Sequence, residues 1–177
     1  MAEAAGLRRR GSLALRRRML TFLRTVAEGS FYRFIPIGFV ESPYRSTEEI
    51  PKGPGAKHEA EGWLVLRPEL AEGLTDIEGF SHLFVLWVFH LSQGYNLLSH
   101  PPSATRPHGV FATRSPRRPN PIGLTVVELL AREGHRLRVR GVDMVDGTPI
   151  LDIKPYLSSV PEGKLRRGWL GEEGGQG

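Results

Sequence analysis

Apolar residues in this chain recur in short runs, several of them alternating with polar residues, and turn-forming residues separate the runs. This pattern is typical of β-strands. The predicted strands cover residues 34–40, 63–66, 80–89, 110–113, 125–130, 136–142 and 150–153. Only residues 69–73 favour a helical turn. Short strands with few helices predict a mainly β fold, built as a small barrel or a sandwich.

The run at residues 80–89 gives the strongest strand prediction. It is apolar on both faces and rich in aromatic and β-branched residues, which indicates a central strand. His90 ends this run, where its side chain either points into a pocket mouth or bonds to nearby backbone. Residues 51–57 and 115–123 are predicted loops because of their glycine and proline content.

The composition narrows the possible chemistry. The chain has 177 residues, 40% of them hydrophobic, which suits one domain with one core. It has no cysteine, so disulfides, thiolate catalysis and cysteine-ligated metals are excluded. The histidines form no metal-binding pattern, so we expect no metal. No apolar run is long enough to cross a bilayer, and we expect a cytoplasmic protein without membrane contact.

The net charge of +5 resides in the first 30 residues, where seven arginines face two glutamates. We predict a disordered basic extension over residues 1–30, a β-barrel domain over 31–170 and a flexible tail over 171–177. An RNA-touching arm, a short amphipathic helix and a targeting peptide are open alternatives for the extension.

An arginine-rich, proline-stiffened segment covers residues 107–125. Arg114, Arg117 and Arg118 lie in it, and residues 101–127 contain no acid. Proline lowers the entropy lost on ordering a loop, and guanidinium groups suit phosphate or carboxylate. With Asn120, the segment indicates a binding site. The alternative is a rigid surface turn with solvated arginines.

Two further patterns carry a functional and a structural interpretation. Asp146 and Gly147 are typical of an ordinary turn, yet in a pocket this carboxylate could hold a ribose or an ammonium group. Arg136, Arg138 and Arg140 alternate in a predicted strand, which places them on one face. That face is either a stripe that follows a nucleic acid backbone or a solvated strand face.

Four segments resemble, in order, the signature blocks of the TsaA-like family, the family of tRNA methyltransferase O. They are IGFVESPY at residues 37–44, FSHLFVLWVFH at 80–90, ATRSPRRPNPIGLT at 112–125 and DGTPILDIKPY at 146–156. The resemblance spans about residues 34–157, and four ordered blocks are far more specific than any one of them. Longer family members carry a further C-terminal subdomain, for which no room remains here.

The resemblance implies a small β-barrel methyltransferase, distinct from the Rossmann type, with short helices. It implies a homodimer that uses S-adenosylmethionine and methylates N6 of N6-threonylcarbamoyladenosine in tRNA. The implied donor contacts are Gly53, Pro54, Gly55, His90, Leu91, Arg114, Leu124, Asp146, Gly147, Thr148 and Pro149. The expected RNA contacts are Arg117, Arg118, Asn120, Arg136, Arg138 and Arg140. No catalytic base is assigned, because the sulfonium already activates the methyl group and the protein mainly aligns the reactants.

The sequence departs from the family at two positions near the expected site. The family's Pro-Arg-Gln-Pro loop is Pro-Lys-Gly-Pro at residues 51–54, and Leu91 stands where the family often has glutamine. Two alternatives therefore stay open. One is a methyltransferase acting on a small molecule or another RNA, and the other is a non-catalytic β-barrel that binds RNA or S-adenosylmethionine.

Overall fold

The fold is a closed barrel of antiparallel strands, seen in a computed structural model that describes residues 32–53, 56–157 and 168–169. The barrel strands are β1 (Gly38–Glu41), β2 (Glu61–Leu66), β3 (His82–Val88), β6 (Ile122–Glu133), β7 (Arg136–Arg140) and β8 (Pro149–Pro155). Around the barrel they follow the order β1-β2-β7-β6-β3-β8. Strands β4 (Leu98–Ser99) and β5 (His108–Gly109) form a separate two-stranded sheet. The predicted mainly β barrel is confirmed.

Alternation along the strands places one set of side chains inside the barrel. Leu83 and Val85 of β3, Val127 of β6, and Leu137 and Val139 of β7 are buried and belong to one core cluster. Their strand neighbours face outward, as the period of two requires. The core therefore forms where apolar residues recur at every second position.

Helical structure in the described residues is limited to short 3₁₀ segments. They are Pro68–Leu74, Ile77–Gly79 and Val110–Ala112. The first of them confirms the helical turn predicted at residues 69–73. Pro68 suits its start, because the ring fixes φ and the N–H that proline lacks would have no partner in the first turn. The strand predicted at residues 110–113 is wrong.

The wrong prediction has a local cause. Pairing between β4 and β5 ends at Gly109, and the Val110 carbonyl then accepts both the backbone N–H and the hydroxyl of Thr113. This turn directs the chain away from the β4–β5 sheet. The ring of Trp169 stacks on His108 at 4.2 Å between centroids and donates its indole N–H to the carbonyl of Ala112.

A glycine on β6 makes room for the indole of Trp87 on β3. A Cβ atom at Gly123 would lie 2.3 Å from the indole ring, which no side chain can tolerate. The two residues are also paired across the strands. Gly123 therefore lets the ring lie flat against the β6 backbone at the end of the barrel where the site forms.

Candidate functional site

A cavity of about 870 Å³ lies at the end of the barrel next to Trp87. Its volume is in the range of small-molecule sites. Five stretches of chain contribute to its lining, within residues 45–52, 87–93, 113–118, 122–124 and 143–148. Segments far apart in sequence therefore meet here, among them the arginine loop (residues 113–121) and the turn that precedes β8.

The floor of the cavity contains a directed chain of hydrogen bonds. The indole N–H of Trp87 donates to the hydroxyl of Thr125 at 3.0 Å. The Thr125 hydroxyl in turn donates to Oδ1 of Asp143 at 2.6 Å. Trp87 and Asp143 both line the cavity, and Thr125 is buried between them. The β6 strand thus fixes a carboxylate at the foot of an otherwise largely apolar wall.

Burial raises the pKa of Asp143 above its ordinary value of 3.8. The hydrogen bond from Thr125 and the charges of His58 and Arg114 act in the opposite direction. Desolvation is the largest of these effects, so the carboxyl group holds a proton more readily than an exposed aspartate does.

The arginine loop carries the largest group of cations at the cavity. Arg114, Arg117 and Arg118 all line it. Arg118 holds the loop together, because its Nη1 donates to the carbonyls of Thr113 and Ser115. Arg114 and Arg117 are exposed and form no side-chain ion pair with the residues that the structure describes. Two guanidinium groups are therefore available to an anionic ligand.

The opposite wall comes from the loop after β1. Arg45, Glu48 and Lys52 line it and are exposed. A hydrogen bond from the Thr47 hydroxyl lowers the pKa of Glu48. Gly53 is exposed with a positive φ of 100° and is not among the lining residues, whereas Pro54 and Gly55 lie outside the described residues.

The Asp146–Gly147 turn holds two segments next to the cavity together. The Asp146 carboxylate accepts the backbone N–H of Ser42 at 3.0 Å and forms an ion pair with Arg45. Gly147 has a positive φ of 78°, which favours glycine, and its N–H donates to the carbonyl of Val40. The turn therefore ties the start of β8 to β1 and to the loop that follows it.

The structure brings part of the predicted donor set together. His90, Leu91, Arg114, Leu124 and Thr148 line the cavity. In the described part of the chain, four other members of the set do not line it, namely Gly53, Asp146, Gly147 and Pro149. Their role in donor binding stays a prediction. Of the predicted RNA contacts, Arg117 and Arg118 line the cavity and Asn120 does not.

The three arginines of β7 do share one outward face, as their alternation predicts, but two are already paired. Arg136 forms an ion pair with Glu41 and lies over the ring of Trp63 at 4.8 Å. Arg140 bridges the carboxylates of Glu61 and Glu128, and this pairing raises the pKa of its guanidinium.

Arg138, by contrast, is exposed and has no ion pair among the described residues. The face is thus not a stripe of three free cations. Its contact with RNA stays a prediction, and Arg138 is its best candidate.

Sequence reasoning missed Trp87, Thr125 and Asp143 as site residues. One signal was available, because Asp143 follows Val142 and precedes Met144 and Val145, which places its carboxylate within an apolar run. The hydrogen bond from Thr125 depends on strand register and had no local signal.

Metal binding and membrane spanning are two further classes of function to which the described residues speak. No group of three or more histidine, aspartate or glutamate side chains in this part of the chain is arranged to hold a metal ion. Over the same residues, no helix has the length and apolar character needed to cross a membrane.

Comparison with known proteins places this geometry in context. Residues 39–161 match the family model of the tRNA-methyltransferase O N-terminal domain. A probable S-adenosyl-L-methionine-binding protein of Pyrococcus abyssi is 48% identical over 139 residues, which cover 76% of this chain and 74% of that protein. The tRNA (adenine(37)-N6)-methyltransferase of Escherichia coli is 41% identical, over 75% of this chain and 62% of the enzyme.

A solved structure gives the same answer for the fold. The crystal structure of TrmO from Pseudomonas aeruginosa superposes with a TM-score of 0.65 and 36% sequence identity. The match covers 79% of this chain and 63% of that one. The chain therefore spans less than two thirds of TrmO and of the Escherichia coli enzyme.

Proposed function

This chain belongs to the tRNA-methyltransferase O N-terminal domain family, and on that premise we propose that it transfers a methyl group from S-adenosylmethionine to tRNA. The observation that carries the proposal is the cavity in which the arginine loop, the end of β3 and the turn before β8 meet. Two relatives support the assignment, since one is named for binding the donor and the other for methylating a tRNA adenine at N6.

The residues of the cavity fit such a donor. Trp87, Phe89 and Leu124 offer an apolar wall for a planar base, and the volume of about 870 Å³ is sufficient for a nucleoside with an amino-acid tail. Arg114 is placed to pair with a carboxylate, because it is exposed in the cavity and forms no ion pair with the described residues, although its charge also acts on Asp143. When bound, S-adenosylmethionine supplies a methyl group that its sulfonium already activates.

We propose N6 of N6-threonylcarbamoyladenosine in tRNA as the acceptor. The cavity mouth favours an anionic acceptor, because Arg117, Arg118 and Lys52 outnumber the single rim acid, Glu48. Phosphate groups and the carboxylate of a threonylcarbamoyl group both meet this requirement. Lys52 lines the cavity, and Gly53 follows it in the chain. These two residues replace the family's Arg-Gln pair, so this loop is where a different acceptor specificity would arise.

The test is incubation of the protein with methyl-labelled S-adenosylmethionine and tRNA that contains threonylcarbamoyladenosine, followed by mass analysis of the nucleosides. We expect a mass gain of one methyl group on that nucleoside, and none on tRNA prepared without the modification. Donor binding by calorimetry without any methylated product would contradict this acceptor and favour another RNA or a small molecule. Absence of both would contradict the proposed function itself.

A homodimer is proposed as the working form. Ile122, Leu124 and Val126 project outward from β6 and are exposed, which leaves an apolar strip on the barrel that is suited to a second copy. Leu124 also lines the cavity, whereas Val126 does not. Sedimentation should show a dimer that Val126→Glu dissociates, and a wild-type monomer would contradict the proposal.

A further inference from the structure

Asp143 occupies a singular position among the acids of the cavity. Of the described residues that line it, two have carboxylates, Asp143 and Glu48. Glu48 is exposed at the rim, whereas Asp143 is half-buried at the floor, between the apolar Val142 and Met144. Burying a carboxylate costs desolvation energy. A carboxylate in such a place therefore points to a structural contact or to a function.

The hydrogen-bond chain leaves one oxygen of this carboxylate open. An indole N–H is a donor only, so the Thr125 oxygen accepts from Trp87 and its own hydrogen must point to Asp143. Oδ1 of Asp143 is thereby committed as an acceptor. Among the residues that the structure describes, no side chain hydrogen-bonds to Oδ2, and the backbone partner of this carboxylate is the N–H of Asp143 itself.

The charged groups that influence Asp143 are His58 and Arg114. Nδ1 of His58 is buried and has no hydrogen-bond partner in the described part of the chain. Arg114 lines the same cavity. Both favour the ionised carboxylate, while burial favours the protonated form and raises its pKa. A group whose pKa is raised in this way takes up a proton more readily than an ordinary aspartate.

This inference rests on the proposed function. We propose that Oδ2 of Asp143 is the proton acceptor of the methyl-transfer reaction. In this step a bond forms between the acceptor nitrogen and the methyl carbon as the sulfur–methyl bond breaks. The sulfur keeps the bonding electron pair and leaves as a neutral thioether. The hydrogen on the acceptor nitrogen passes to Oδ2 as a proton, which neutralises the carboxylate.

The first test compares Asp143→Asn with the wild-type, full-length protein. Asparagine keeps the shape and can still accept from Thr125, but it cannot take a proton. Turnover should fall by about 100- to 10,000-fold, while donor affinity from calorimetry changes by less than about threefold. Asp76→Asn is the matched control, because Asp76 is exposed with a positive φ of 65° that asparagine also adopts.

The second test changes the proton affinity of Asp143 through its neighbour. Thr125→Val removes a hydrogen bond that lowers the pKa of Asp143. The acid limb of the turnover–pH profile should therefore move to higher pH, whereas Thr125→Ser, which keeps the hydroxyl, should leave it in place. Carbon-13 NMR of the Asp143 carboxyl in donor-free protein should show the same upward shift of its titration for the valine variant.

Three results would overturn the inference. The first is turnover of Asp143→Asn within about threefold of wild type. The second is a loss of donor affinity in parallel with the loss of turnover, which would make Asp143 a donor ligand. The third is an acid limb and an NMR titration that do not respond to Thr125→Val. A wild-type protein that methylates no tRNA would be recognised separately, since it overturns the proposed function and removes the reaction that Asp143 serves.

Discussion

Two groups of arginines in this protein look alike in sequence and differ in their surroundings. The arginine loop carries Arg114, Arg117 and Arg118, and the outer face of β7 carries three more at alternate positions. On β7, two of the three guanidiniums are bound to carboxylates from other strands. In the loop, Arg118 is bonded to backbone carbonyls and the other two have no acid partner among the described residues.

The difference shows that a cluster of arginines in the sequence does not by itself form a positively charged surface in the fold. The acids that neutralise β7 lie on three other strands, with Glu41 on β1, Glu61 on β2 and Glu128 on β6. The loop is different because proline and backbone bonding hold it at the cavity, and residues 101–127 contain no acid. We therefore expect the loop to bind ligand and the paired arginines to hold strands together.

Among the arginine variants, the largest effect is expected from Arg114→Ala. Loss of a charge-assisted hydrogen bond in the cavity should lower kcat/KM for tRNA methylation by about 10- to 100-fold. Arg138→Ala is the matched control, because Arg138 is also exposed and unpaired within the described residues but lies on β7. Equal losses in steady-state kinetics of both variants would remove the distinction between the two groups.

A smaller effect should follow from Arg117→Ala. If this guanidinium contacts a phosphate, the slope of log affinity for tRNA against log salt should decrease by about 0.7–0.9. Arg117→Lys keeps the charge and should keep most of the slope. Filter-binding titrations over a range of salt concentrations measure it, and an unchanged slope for the alanine variant would place Arg117 outside the RNA contact.

The difference between the two groups can also be reduced by removing the acidic partners of a β7 arginine. The double change Glu61→Gln and Glu128→Gln removes both partners of Arg140. Affinity for tRNA without the threonylcarbamoyl group should then rise a few-fold at low salt, because a free cation becomes available. Unchanged binding in the same titrations would show that β7 faces away from bound RNA even when its charge is free.

The smallest effect concerns stability and pH. The pKa of Asp143 is raised by folding, so the folded state binds more protons than the unfolded state between pH 3.8 and the folded pKa. Stability supplied by the protonated form is therefore lost as pH rises through that window. Thermal melts should show Asp143→Asn gaining stability over wild type at pH 7 relative to pH 4. A constant difference between the two proteins would contradict the shift.

Much of the barrel could be predicted because its strands obey a local rule. The run that became β3 is almost continuously apolar, and the one that became β7 alternates arginines with Leu137 and Val139. The segment at residues 110–113 looked the same locally, but its N–H and C=O groups found partners in a turn instead of a ladder. Hydrogen bonds within a four-residue turn decided that case, and strand propensity did not predict them.

The candidate site was only partly predictable for a similar reason. The loop arginines were visible because their segment lacks acids. The pairing of Arg140 was not, since Glu61 is 79 residues away in the chain. The half-buried carboxylate of Asp143 depends on Thr125, which meets it only after β6 has taken its register against β7, the strand that precedes Asp143. The residues that flank Thr125 and Asp143 in the sequence therefore do not predict this hydrogen bond.

The closed order of the barrel also limits how this protein can associate. Each of its six strands has a hydrogen-bonded neighbour on both sides, so the ring has no free edge to which another chain could add a strand. A second copy or a partner that binds the barrel must therefore do so through side chains and loops, whereas the separate β4–β5 sheet keeps its own edges. Association then depends on surface composition, which single substitutions can adjust without touching the backbone ladder that keeps the cavity in shape.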